Sequence, residues 1–193
     1  MTLVGFRRMH IIVREGTEKQ HFIVEGKENK GATSTAEITG LSKEPLKVYG
    51  SDGVYTVLAK GVGEVGVNLG VLDLEKDTNT TILGRQKTDE GFIKIGKSTN
   101  PPVCSIVLES SDLRDEPVYF GFFKGKFSKE SINLNTKTGE QGEPEPEAYI
   151  YSPFDNDEKG DLEGEIGLMH YGTEKQDEFL KHFGITSEDI PKG

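Results

Sequence analysis

The chain has 193 residues, a net charge of −10, a hydrophobic content of 33% and 24 glycines. That length suits one domain with arms, and the sparse apolar content implies a thin core whose remaining surfaces bury only on assembly. The acidic balance argues against phosphate-backbone binding, which needs clustered Lys and Arg, and the single cysteine excludes an intrachain disulfide.

At the N-terminus, Arg7, Arg8 and Arg14 interrupt the apolar residues, so no signal peptide is expected. No apolar run approaches the roughly 18 residues of a membrane span, and no membrane insertion is expected. Leu46–Tyr49 and Val54–Leu58 flank Gly50-Ser51-Asp52-Gly53 and predict a hairpin with its turn at Asp52-Gly53. Glu64–Val71 alternates cleanly. Val65, Val67, Leu69 and Val71 share one face, while Glu64, Gly66, Asn68 and Gly70 share the other. The second face is small enough for another chain to approach.

Asp73 is the expected cap of a short helix that ends at Ile82-Leu83, with Gly84 as its stop. Val103–Glu109 reads as a strand that places Cys104 beside Ile106 and Leu108 as a buried apolar thiol. Pro117–Phe127 reads as a strand with Val118, Phe120 and Phe122 on one face and Tyr119, Phe123 and Phe127 on the other. Apolar residues on both faces suggest a central sandwich strand, or one covered by a neighbouring subunit. Thr173 with Gln176 predicts a capping box for a second helix with the stripe Phe179, Leu180 and Phe183, ending at Gly184. The expected organisation is a body over 1–138 and a Pro/Glu-rich spacer over 139–147. A C-terminal portion over 148–184 then packs on the body or on a neighbouring subunit, and 185–193 form a flexible tail.

Three patterns touch on chemistry. Gly91–Ser98 matches the phosphate-loop spacing letter for letter, but Phe92, Ile93 and Ile95 read as a strand, and Pro101-Pro102 bars the helix that must follow. Asp155, Asp157 and Gly160 fit the opening of a calcium loop, yet Lys159 occupies a ligand position and Ile166 stands where the bidentate Glu belongs. An acidic hairpin turn is the better reading. His10, His21, His170 and His182 have no metal-site spacing and are expected at the surface or at interfaces. The expectation is therefore no catalytic residue, no cofactor and no metal.

Read in order, Ile38-Thr39-Gly40-Leu41, Val48–Tyr55, Ile82-Leu83-Gly84-Arg85, Glu116–Gly121 and the Gly142–Glu147 spacer form one pattern from about Leu3 to Tyr151. It resembles the major tail proteins (tail tube proteins) of long, non-contractile siphovirus tails, of the phi-thirteen type. The resemblance implies a mainly β fold, a β-sandwich with one or two short flanking α-helices and extended loops or arms. It implies a virion subunit, made in the host cytoplasm, that forms hexameric rings stacked into a tube. Inner strands would join into a β-barrel lumen through which genomic DNA passes without specific binding. A tape-measure protein and tail-tip and terminator proteins are the implied partners. On this basis Glu64, Gly66, Asn68 and Gly70 are candidates for the lumen or for a sheet interface. Lys43, Glu44, Pro45, Tyr119 and Phe123 are candidates for inter-subunit contact. The alternatives are a soluble β-sandwich module that binds carbohydrate or protein, with the lack of Trp weighing against a sugar platform, and a nucleotide hydrolase resting on Gly91–Ser98.

Overall fold

Alternating β-branched and aromatic residues make this chain a strand former, and the computed structural model is mainly β, with 44% strand and 8% helix among the described residues. It describes residues 2–16, 19–28, 30–136, 143–186 and 189. The elements run β1 (Leu3–Val13), β2 (Gln20–Val24), β3 (Ala32–Thr39), β4 (Leu46–Gly50), β5 (Gly53–Leu58), β6 (Gly66–Leu72), α1 (Lys76–Ile82), β7 (Cys104–Asp112), β8 (Pro117–Ser128), β9 (Glu147–Phe154), β10 (Gly167–Tyr171) and α2 (Gln176–His182). All pairings are antiparallel. One sheet is ordered β2-β1-β7-β8-β9-β6-β3, with β10 also on β8, and β4-β5 stand apart as a hairpin.

β8 joins the two layers. Its first half, Pro117–Phe122, pairs with β7 and β10, and its second half, Lys124–Ser128, pairs with β9. Between them Phe123 and Lys124 oppose the single residue Ser105, a bulge that bends the strand from one layer into the other. The Ser105 hydroxyl donates to the Phe123 carbonyl at 2.5 Å and fixes the bulge. Across the far side, the Thr33 hydroxyl of β3 donates to the Phe6 carbonyl of β1 at 2.5 Å and draws the ends of the sheet together.

The principal core lies inside this wound sheet. Met9 and Ile11 of β1, Val67, Leu69 and Val71 of β6, Ile106 of β7 and Tyr149 and Tyr151 of β9 meet there. The alternation of Val67, Leu69 and Val71 is as the sequence predicts, but the strand starts at Gly66, not Glu64, and Glu64 and Val65 lie in the bend before it. The faces of β8 are not as predicted. Phe127 joins Phe122 in the principal core, because the bulge shifts the register of inward-facing residues by one. Gly125 allows this, since a Cβ there would fall within the Tyr151 ring.

A second, smaller core lies outside the sheet. Ile12, Val107, Tyr119 and Phe123 are covered by Phe179, Leu180 and Phe183 of α2 and by Ile185. Gly121 permits the close approach of Phe183, whose ring takes the space a Cβ would need. Each fully buried side chain of this size stabilises the docking by about 1.5–3 kcal/mol. Both helices start later than their sequence signals. Glu75, not Asp73, precedes α1, and Asp73 sits in a left-handed turn at φ 47°. Lys175, at φ 60°, precedes α2, and no side-chain capping bond forms from Thr173. The stops are placed as expected, with Gly84 and Gly184 at φ 59° and 77°.

The segment after the spacer is continuous with the body, since β9 lies between β8 and β6. Residues 139–142 of the spacer lie outside the described residues. Ile185, assigned to the tail by sequence, is buried, and Asp189 bonds Lys19 at 2.9 Å. The remaining tail residues, 187, 188 and 190–193, lie outside the described set.

Candidate assembly surfaces

The β4-β5 hairpin is an arm. Its register places Leu46 opposite Leu58 and Val48 opposite Thr56, a mostly apolar face that, among the described residues, no other strand pairs beside. Leu46, Val54, Val57 and Leu58 are exposed, and Tyr49 and Tyr55 are 70% and 80% exposed. A two-stranded hairpin with no covering layer is marginal alone in water. The turn is held by Ser51 and Asp52, both at positive φ (50° and 64°), between paired Gly50 and Gly53. It therefore sits one residue earlier than the sequence places it, and both central residues take the twist that a two-residue hairpin needs. Lys43, Glu44 and Pro45 stand exposed at the arm's root.

The sequence reading missed this arm as a surface, although its signal was present. Apolar residues on both faces of a short hairpin leave it half uncovered in any isolated fold, and Gly40 and Gly61 set it off from the body.

The outer face of β6 carries Asn68, which is exposed and whose amide donates to Glu37 of β3 at 3.2 Å; Glu64, also exposed, lies in the bend that precedes the strand. Gly66 is half-buried. Gly70 is buried, with Thr35 Oγ1 placed 2.5 Å from where a Cβ would stand. Of the four candidates, Glu64 and Asn68 thus present side chains to the outside, and Gly70 is closed over by its own chain.

Tyr119 and Phe123 lie under α2. The cover for the second face of β8 comes from within the chain, and a neighbouring copy would reach these two rings only by displacing the helix.

A buried charged row crosses the same face. His10 is fully buried, contrary to its expected place at a surface or interface, because β1-β2 pairing brings it to His21. Nδ1 of His10 lies 3.0 Å from Nε2 of His21, and Nε2 of His10 lies 3.0 Å from Glu109 Oε1. Arg8 joins the row, at 3.0 Å from Glu25 and 3.7 Å from Glu109. Burial, and then the neighbouring His10, push His21 down to about 4. Cys104 is buried as expected, and burial pushes its thiol up to about 12, far from the range of a nucleophile.

The motifs of chemical interest resolve as turns. Gly91–Ser98 contains one isolated bridge, Lys87 to Ile93, in place of the expected strand, and no helix follows. The segment bonds back to its own turn, with the Lys94 N–H donating to the Gln86 carbonyl and the Thr88 N–H to the Phe92 carbonyl, both at 2.8 Å, and Phe92 and Ile95 are exposed. In the Asp155–Asp161 turn, Asn156 is buried and closes the loop on itself, donating to the Leu162 carbonyl at 3.1 Å. Asp157 pairs with Lys124. Among the described residues no group of three or more His, Cys, Asp or Glu is gathered to hold a metal, and no helix is long and apolar enough to cross a membrane.

A family model described as phage tail tube protein matches residues 10–176, from within β1 to the first residue of α2. No curated protein matches the chain.

Proposed function

The chain belongs to the phage tail tube protein family, a structural family of the virion tail, and on that premise we propose that its copies close into hexameric rings that stack into a DNA-conducting tube. The observation that carries this reading is the uncovered apolar arm. Six exposed large apolar side chains on one hairpin form a surface that a lone soluble chain has no use for and that a neighbouring copy buries. Ring closure also removes the open edges of β2, β3 and β10, which otherwise invite uncontrolled pairing.

Glu64, in the bend just before β6, and Asn68, on the exposed face of β6, face the lumen or an inter-subunit sheet. Lys43, Glu44 and Pro45 take part in contacts at the arm root. Six copies carry roughly −60, so the wall repels DNA and lets it slide without specific binding. Assembly takes place in the host cytoplasm, with a tape-measure protein setting the length and tail-tip and terminator proteins closing the ends.

Negative-stain electron microscopy over a concentration series, beside light scattering for mass, tests this. Six-fold rings or hollow tubes are the expected result. A monomer at every concentration, with and without tail-tip complex, overturns it.

A further inference from the structure

We propose that the arm of each copy seats in an apolar groove at the arm root of the next copy, in a head-to-tail contact. This rests on the assembly reading above and names the two surfaces that meet.

The groove lies between the arm root and β10. Leu41, Val62, Phe120, Ile166 and Met169 line a hollow of about 230 Å³. Beyond Leu41 and Phe120 it continues into a wider hollow of about 570 Å³, bordered by Phe6 and Ile38. The chain's own arm does not fill it, since Tyr49 and Tyr55 stand in solvent. The body therefore offers an open apolar receptor, and the arm offers an apolar insert of the same chain.

Charge selects the pairing. The arm carries Lys43, Lys47 and Lys60 against Glu44 and Asp52, and is net positive on a chain of net −10. The groove's rim carries Asp155 and Glu165. An arm approaching another copy's groove meets opposite charge, whereas an arm approaching another arm meets its own sign. Arm-to-groove contact is also heterologous, so it propagates from copy to copy and closes when the rotation divides a full turn. Arm-to-arm contact stops at a two-fold pair and leaves every groove empty.

Two variants test the pairing by complementation. Tyr55→Glu with Leu58→Glu disables the arm, and Met169→Glu disables the groove at an exposed position of β10. Thermal melting checks that both fold. Each alone is expected to lose assembly at least about tenfold in concentration dependence, and an equimolar mixture is expected to form dimers and stop, since one intact arm and one intact groove remain per pair. A Met169→Glu protein that assembles like the unmodified chain overturns the inference and leaves the tube reading standing. An unmodified chain that stays monomeric at every concentration, with and without tail-tip complex, overturns the tube reading itself.

Cysteine trapping gives an independent readout. Tyr55→Cys combined with Met169→Cys is expected to yield a covalent ladder on oxidation, with Cys104 silent because it is buried. Covalent dimers from Tyr55→Cys alone report arm-to-arm pairing and overturn the proposal.

Discussion

Nδ1 of His10 and Nε2 of His21 face each other at 3.0 Å, with the rings stacked at 5.2 Å and one proton to share between them. A carboxylate oxygen only accepts, so Nε2 of His10 donates to Glu109 and Nδ1 is left for His21. Protons on both facing nitrogens would set two N–H groups head-on across that gap. β2 is an edge strand held in the sheet by β1, and this contact is one of its anchors, beside the Lys19–Asp189 pair.

The pH dependence follows from His21. Its folded value of about 4 lies below its ordinary 6.5, so the unfolded chain binds the extra proton first. The stabilisation is complete above pH 6.5 and is lost as the pH falls through the window down to about 4. Urea unfolding at pH 7, 5.5 and 4 should show this decline. His21→Leu should flatten it, since no proton is left to gain at that ring. An equally steep decline in the variant would place the acid sensitivity elsewhere.

Gly121 and Phe183 set the docking of α2. Gly121→Ala places a methyl group where the Phe183 ring lies, so the helix must lift from Tyr119 and Phe123. The expected loss is about 1–3 kcal/mol by overpacking, read by chemical denaturation. Phe183→Ala, which empties the same site, should cost about 3–5 kcal/mol. Unchanged stability in both would mean that α2 does not pack on this face in solution.

The Tyr151 hydroxyl donates to the Cys104 carbonyl at 2.8 Å inside the principal core. Tyr151→Phe keeps the ring's packing against Phe122 and Phe127 but leaves that carbonyl without its side-chain donor. A loss of about 1–2 kcal/mol is expected by urea titration. Cys104→Ala keeps the carbonyl and its partner, so its smaller effect should come from lost volume and the weak thiol bond to the Pro102 carbonyl at 3.6 Å.

The Gly91–Ser98 loop discriminates against a nucleotide site. Isothermal titration with ATP should give no binding heat for the unmodified chain or for Lys97→Ala. The substitution should change stability by no more than about 0.5 kcal/mol, because Lys97 is exposed. Binding that disappears in Lys97→Ala would restore the phosphate-loop reading.

Much of the fold was legible because the signals were local. Val65, Val67, Leu69 and Val71 alternate at period two, and a pleated strand buries one face whatever its neighbours are. Gly84 and Gly184 mark helix ends because a left-handed residue there is least strained as glycine. The ordered motifs from Ile38 to Gly121 carried the family. The pairing of β9 between β8 and β6 had no such local cue, because any strand with one apolar face can join a sheet at several places.

What sequence alone determined is the strand content, the burial of Cys104 and the apolar character of both faces of Pro117–Phe127. Tertiary structure alone decided what lies against those faces. Ser105 opposite Phe123 and Lys124 turned Phe127 into the principal core, and α2 folded over Tyr119 and Phe123. His10 met His21 and Glu109 only through strand pairing across the sheet. The arm stayed uncovered for the same reason. Periodicity specifies that a face is apolar, but the partner that buries it is set by contacts between residues far apart in the chain, and for β4-β5 no such partner lies among the described residues.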